Sequence, residues 1–204
     1  MVIIEGMVGV GKSTLQEKLC QKVSNACLLI QDFEHNICLK DFYQGDSCLL
    51  QKQMIFLFSD YHVLISAMRK NPHKIIISDF SLERSEIVAK NSLSRFEYET
   101  LFTPCYKYLM DQFHDARKLL ILLYASPEHI MKNIRKRNRL IEQGIGLQYI
   151  QAKQELLIEE LPKYPFNKVI RIDCDKENTL DDLLVEKLAR EIQCFEASIT
   201  NTSS

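Results

Sequence analysis

The sequence predicts an α/β protein built on a parallel sheet, and three observations carry that prediction. Five short apolar runs, at residues 2–5, 27–30, 74–78, 119–124 and 168–172, are separated by helical stretches, the alternation that builds crossover units. The runs are largely apolar, as in strands covered on both faces. The first run leads straight into Gly6-Met7-Val8-Gly9-Val10-Gly11-Lys12-Ser13. That is a G-x-x-x-x-G-K-S sequence with a strand before it and a helix after it.

Taken in order, the chain opens on this phosphate-binding loop. Gly6, Gly9 and Gly11 let successive N–H groups turn toward an anion, and the helix that follows points its positive end at the same place. Met7, Val8, Val10 and Thr14 complete the loop and the first helical turn. Lys12 is placed to reach the terminal phosphates and the Ser13 hydroxyl to hold Mg²⁺, so the reading is a nucleoside triphosphate site. Further helices are expected near 50–70, 84–92, 96–113, 127–138, 147–161 and 179–193. Ser126-Pro127-Glu128 is a good helix start, and Asn71-Pro72 closes the long second helix.

Length and composition narrow the classes. A chain of 204 residues suits one α/β domain over residues 1–204, since domains run to about 100–200 residues. The formal net charge of −1 offers no global attraction to nucleic acid or an anionic membrane. The longest apolar run, residues 119–125, is too short to cross a bilayer, and no signal peptide is read ahead of the loop. Seven cysteines without a C-x-x-C read as buried free thiols of a cytoplasmic protein. The tail, residues 198–204, is expected to be flexible.

Ligands of open α/β sheets bind beyond the carboxyl ends of the strands. That edge receives the phosphate loop, then Gln31-Asp32-Phe33-Glu34-His35-Asn36 after the second run, then Asp79 and Ser81-Leu82-Glu83-Arg84-Ser85 after the third. Acidic groups beside a triphosphate loop suit metal binding and proton transfer. Lys132 to Arg139 holds five basic residues in eight and runs into Glu142-Gln143-Gly144-Ile145-Gly146. A basic helix end followed by glycines is what a lid over phosphates requires, here at about 135–147. Interleaved aromatics, which would suggest a nucleic-acid surface, are missing from the run.

The order phosphate loop, QDFEHN…FY, glutamine-bearing helix, ERS and RNRLIEQGI resembles the deoxynucleoside kinases, including bacterial deoxyadenosine and deoxyguanosine kinases, over about residues 1–165. The resemblance implies the P-loop nucleoside-kinase fold, a five-stranded parallel sheet with helices on both faces and a lid. It implies transfer of the γ-phosphoryl of ATP to the 5′-hydroxyl of a deoxynucleoside, with Mg²⁺, by a homodimer. Residue by residue, Tyr43 matches the tyrosine on the sugar 3′-hydroxyl and Gln53 the glutamine on the base edge. By itself Gln53 reads as a helix-surface amide. Glu83-Arg84-Ser85 match the acid-Arg-Ser motif, with the acid near Mg²⁺ and the attacking hydroxyl and the arginine on phosphate. Arg137 and Arg139 match the paired lid arginines, and Glu142 the lid acid.

Three positions depart from the family. The usual general base, a glutamate, is Gln31 here, which leaves Asp32 or Glu83 for proton transfer. An arginine that usually touches the base is Asp60, seven residues after Gln53 and so on the same helix face. A carboxylate there accepts from an exocyclic amine and favours adenine or cytosine, a deoxyadenosine-like purine first. The acid before the lid tyrosine is Gln148. Two alternatives stay open: a catalytically weak or inactive nucleotide-binding paralogue, and another small-molecule P-loop kinase such as a nucleoside monophosphate kinase. A phosphorylated acceptor calls for arginines around its pocket, and residues 31–62 contain none.

Overall fold

The structure, a computed structural model, describes residues 1–29, 48–139, 142 and 144–200. Five strands form one parallel sheet: β1 (Val2–Glu5), β2 (Ala26–Leu28), β3 (Ile75–Ser78), β4 (Leu119–Tyr124) and β5 (Lys168–Asp173). Their order is β2-β3-β1-β4-β5. The helices among the described residues are α1 (Lys12–Lys22), α2 (Leu49–Lys70), α3 (Leu82–Ser92), α4 (Thr103–Asp111), α5 (Pro127–Arg137), α6 (Leu147–Glu160) and α7 (Asp182–Thr200). The chain divides into two compact units. One comprises Met1–Leu28, His73–Asp79 and Arg117–Ser204, the other Leu29–Pro72 and Phe80–Ala116.

The first unit holds the whole sheet. β1 lies between β3 and β4, with Ile3 opposite both Ser78 and Leu120. Parallel pairing in this register sets the carboxyl ends of the three strands side by side. All four residues of β1 and Leu119–Leu123 of β4 are buried, and successive side chains of a strand point to opposite faces, so the central strands are covered on both sides. The edge strands depart from that expectation. β5 alternates, exposing Val169 and Arg171, and β2 is half-buried along its length. Two-sided apolar character in the sequence therefore marks the middle of this sheet better than its edges.

Buried amides tie helices of this unit to the sheet. Gln16 on α1 donates from Nε2 to the carbonyl of Ile77 at 2.8 Å. Gln154 on α6 both donates to the carbonyl of Ala125 at 2.8 Å and accepts from its N–H at 3.1 Å. The carboxamide so stands in for a neighbouring strand where β4 has ended, satisfying two main-chain groups that would otherwise be buried unpaired.

The second unit is helical among the described residues. On α2 the buried positions are Gln53, Leu57, Asp60, Leu64 and Ala67, one face at helical spacing, and α2 packs against α3. Where one helix was expected over 96–113, a π turn (Glu97–Phe102) precedes α4. Pro104 explains the break: it has no N–H for the carbonyl four residues back and its ring crowds that carbonyl. The helix widens instead, and the N–H of Thr103 donates to Tyr98. Tyr98, Phe102 and Tyr106 stack along this segment at 6.2 and 6.3 Å between centroids. Burial, with a hydrogen bond to Glu86, pushes the Tyr98 phenol up to about 12.

The described cysteines are free, as expected, but their burial is not. Cys174 is buried, Cys20, Cys27 and Cys105 are intermediate, and Cys48 and Cys194 are exposed. An apolar neighbourhood in sequence does not fix which side of a helix a thiol occupies. No helix among the described residues is long and apolar enough to cross a membrane.

Replacing Gln154 by Leu should expose this dependence. The variant keeps the volume but strands the Ala125 N–H and C=O, and should lose about 2–3 kcal/mol of stability. Urea unfolding of Gln154→Leu against the natural chain measures it; a loss under about 0.5 kcal/mol would show that water or relaxation replaces the amide.

Candidate functional site

Ahead of α1 the loop leaves β1 at Gly6, whose φ is +150°. A Cβ at this position would sit 2.4 Å from the carbonyl oxygen of Leu123, so only glycine lets β1 turn away while hugging the end of β4. Gly11 caps α1 in a left-handed conformation. Lys12 folds back over the loop, donating from Nζ to the carbonyls of Gly6 at 3.0 Å and Met7 at 3.2 Å. Its ammonium thus lies across the loop mouth at the helix N-terminus, where two sources of positive potential add. Ser13 and Thr14 are exposed on the first turn.

The side chain that meets Ser13 is Asp79. Ser13 Oγ donates to Asp79 Oδ2 at 2.7 Å. Asp79 follows β3 directly, and β3 neighbours β1, so the sheet brings the residue after one strand to the helix after the other. The sequence puts Asp79 among the acids at the phosphate-loop edge; what makes it the partner of Ser13 is strand adjacency, which a linear pattern does not encode. A hydroxyl and a carboxylate are hard oxygen donors that suit Mg²⁺, and the loop with Lys12 suits a triphosphate.

Helix α5 starts as the sequence predicts. Ser126 Oγ accepts from the N–H of His129 at 3.4 Å, and Pro127 opens the helix. Asp175, beyond β5, takes bonds from the Ser126 N–H at 2.6 Å and from His129 Nδ1 at 2.8 Å. Desolvation raises its carboxyl, but these bonds outweigh it and hold the group below the usual carboxylate range. At the far end, Asn138 ends α5 at φ +49°, between Arg137 and Arg139. Arg137 pairs with Glu142 at 2.7 Å. Glu142 is buried, and its other oxygen, Oε2, has no hydrogen-bond partner among the described residues. Arg139 is exposed.

In the second unit, Gln53 and Asp60 share the buried face of α2, at 8% and 6% exposure, so Gln53 is no surface amide. Ser85 Oγ donates to Asp60 Oδ2 at 3.4 Å. Ser81 caps α3, accepting from the N–H of Arg84 at 3.1 Å. α3 therefore begins at Leu82, and Glu83 and Arg84 lie in its first turn, Glu83 buried and Arg84 half-buried. Gln31, Asp32 and Tyr43 lie outside the described residues.

Comparison with known proteins bears on the fold and the family. The deoxynucleoside kinase family model matches residues 2–195. A deoxyguanosine kinase of Bacillus subtilis (strain 168) is 27% identical over 202 residues, covering 94% of this chain and 95% of the relative. A deoxyadenosine kinase of Dictyostelium discoideum is 27% identical over 154 residues, 74% of this chain and 62% of the relative. Among solved structures, deoxyadenosine kinase from M. mycoides with bound dCTP superposes with a TM-score of 0.72 at 23% identity, covering 95% of this chain and 98% of the other. The same enzyme with bound dATP gives 0.71 at 22% identity, covering 94% and 98%. With a family model spanning nearly its whole length and the parallel-sheet fold in common, the chain belongs to the deoxynucleoside kinase family.

Proposed function

We propose that the chain transfers the γ-phosphoryl of ATP to the 5′-hydroxyl of a deoxynucleoside, with Mg²⁺ held at Ser13 and with a preference for a base that presents an amino group. The observation that carries the reading is the Lys12 and Ser13–Asp79 arrangement at the carboxyl edge of β1 and β3. Phosphoryl transfer depends mainly on positioning and on stabilising charge as it spreads over the phosphoryl oxygens. Lys12 supplies a cation at the loop and Arg137 and Arg139 supply two more at and just past the end of α5, while Arg84 is the phosphate-binding arginine implied by the family motif. Mg²⁺, when bound, neutralises charge on the phosphates. Ser13 is its protein ligand, with Asp79 beside it and Glu83 the acid implied by the family motif.

Proton transfer from the 5′-hydroxyl falls to Glu83 or Asp32, since Gln31 cannot accept a proton as a carboxylate does. On the acceptor, the family motif implies Tyr43 for the sugar 3′-hydroxyl, and it implies Glu142 as the lid acid, whose buried Oε2 suits a hydroxyl donor. Gln53 and Asp60 read the base edge from one face of α2. Support for an amino-bearing base comes from Asp60 itself, a buried acceptor held by the Ser85 hydroxyl. The protein is expected to act as a homodimer in the cytoplasm and to bind neither nucleic acid nor membrane.

Lys12→Ala should abolish phosphoryl transfer in a folded protein, measured with radiolabelled ATP against four deoxynucleosides; near-normal turnover would remove the kinase reading. If Glu83 is the base, Glu83→Gln lowers kcat by about 10²–10⁴-fold and Gln31→Glu changes little. Should Gln31→Glu instead raise kcat by about 10²-fold, no carboxylate has replaced the family glutamate.

Base preference gives a further expectation. Deoxyadenosine or deoxycytidine should outperform thymidine, and Asp60→Asn should narrow the difference by about 1–3 kcal/mol in kcat/KM. An unchanged substrate profile would place Asp60 outside base recognition.

A further inference from the structure

Where α5 passes the phosphate loop, the two are in direct contact. The point of approach is Gly9, at φ +86°. A Cβ on Gly9 would meet Ile134 Cγ1 at 2.9 Å and the carbonyl oxygen of Ile130 at 3.1 Å. The helix backbone so approaches the loop tip at a distance that only a missing side chain permits. One polar contact fixes the approach: Asn133 Nδ2 donates to the carbonyl of Gly9 at 2.9 Å. The same tip is closed internally by the N–H of Val10, which donates to Met7 at 3.2 Å.

Asn133 also lies four residues before Arg137, so the two occupy the same stripe of α5 one turn apart. A helix is stiff over one turn. The bond to Gly9 therefore constrains the azimuth and the axial position of the last turn of α5, which carries Arg137, with Arg139 just past the Asn138 cap. We propose that Asn133 is a positioning residue: its carboxamide locks α5 to the phosphate loop and so holds the arginine end of α5 in register with the phosphates that the loop binds. The inference rests on the kinase reading for its catalytic consequence, and on the Asn133–Gly9 contact alone for its structural one. A misplacement of about 1 Å at a phosphoryl-transfer site is enough to lose on the order of 10²-fold in rate.

The test uses the full chain with Asn133→Leu, which keeps the volume without a donor, and Asn133→Asp, which sets a carboxylate against the Gly9 carbonyl. Asn133→His serves as the rescue, because its ring Nδ1–H lies about as far from the backbone. The first two variants should lower kcat by on the order of 10–10²-fold while the KM for the deoxynucleoside stays within about twofold. Asn133→His should recover a large part of the loss. Amide hydrogen exchange is read in parallel on the same proteins without nucleotide. Exchange at residues 8–10 should quicken at least about tenfold in Asn133→Leu while the β1 and β4 amides keep their protection.

Exchange at residues 8–10 that matches the natural chain overturns the proposal, whatever the kinetics. So does a kcat within about twofold of natural in both variants, or a kinetic loss that follows a drop in Tm and that His does not repair. If the natural chain phosphorylates no deoxynucleoside, the kinase reading fails on its own, and the exchange result still decides whether Asn133 holds the loop.

Discussion

Between the end of β1 and the end of β4 there is room for a peptide and nothing more. Glu5 pairs with Leu122, and the next carbonyl, that of Leu123, closes on the place where a side chain at residue 6 would stand. The phosphate loop follows from that contact. A chain forced wider at this point would carry Lys12 away from the Gly6 and Met7 carbonyls that hold it, and Ser13 away from Asp79. The loop and the lysine's hold on it follow from β1 and β4 lying side by side, and the serine–aspartate pair from β3 flanking β1 on its other side.

Much of the fold could be read along the chain. β1 and β4 have the expected boundaries, α1 opens directly behind the glycine loop as expected, and α2 and α5 fall within a residue of their expected bounds, because each is marked by local chemistry: an apolar run, a glycine loop, a serine–proline start. The π turn was not legible. It arises from Pro104 acting on a helix that otherwise has good helical residues on both sides, and whether such a helix breaks, kinks or widens depends on packing. Helix α7 runs on to Thr200, past the expected end near 193, where Ile192 and Phe195 are buried and extend its apolar face.

The candidate site divides along the same line. Residues that belong to one local motif, such as Lys12, Ser13, Arg137 and Arg139, could be singled out from sequence alone. Those whose place depends on two distant segments could not be paired with their partners, even where, as with Asp79, the sheet edge they occupy could be named. Asp79 has to be seen one strand away from the loop, and Asn133 has to be seen against Gly9 across 124 positions of chain. Burial is the other quantity a pattern under-determines: Gln53 by itself looks like a surface amide until the α2 face that it shares with Asp60 is found to be covered.

The sheet's two margins have a bearing on how the molecule behaves in company. An open sheet edge carries unpaired main-chain groups and invites a strand from another chain. Here β2 is three residues long, too short to template an extended partner. At the opposite margin Lys168 stands on one face of β5 and Arg171 and Asp173 on the other, with Lys168 paired to Glu191 and Asp173 to Lys176. An incoming strand would have to strip water from those charges before gaining any hydrogen bond. Among the described residues, both margins thus oppose the edge-on growth that begins many aggregates.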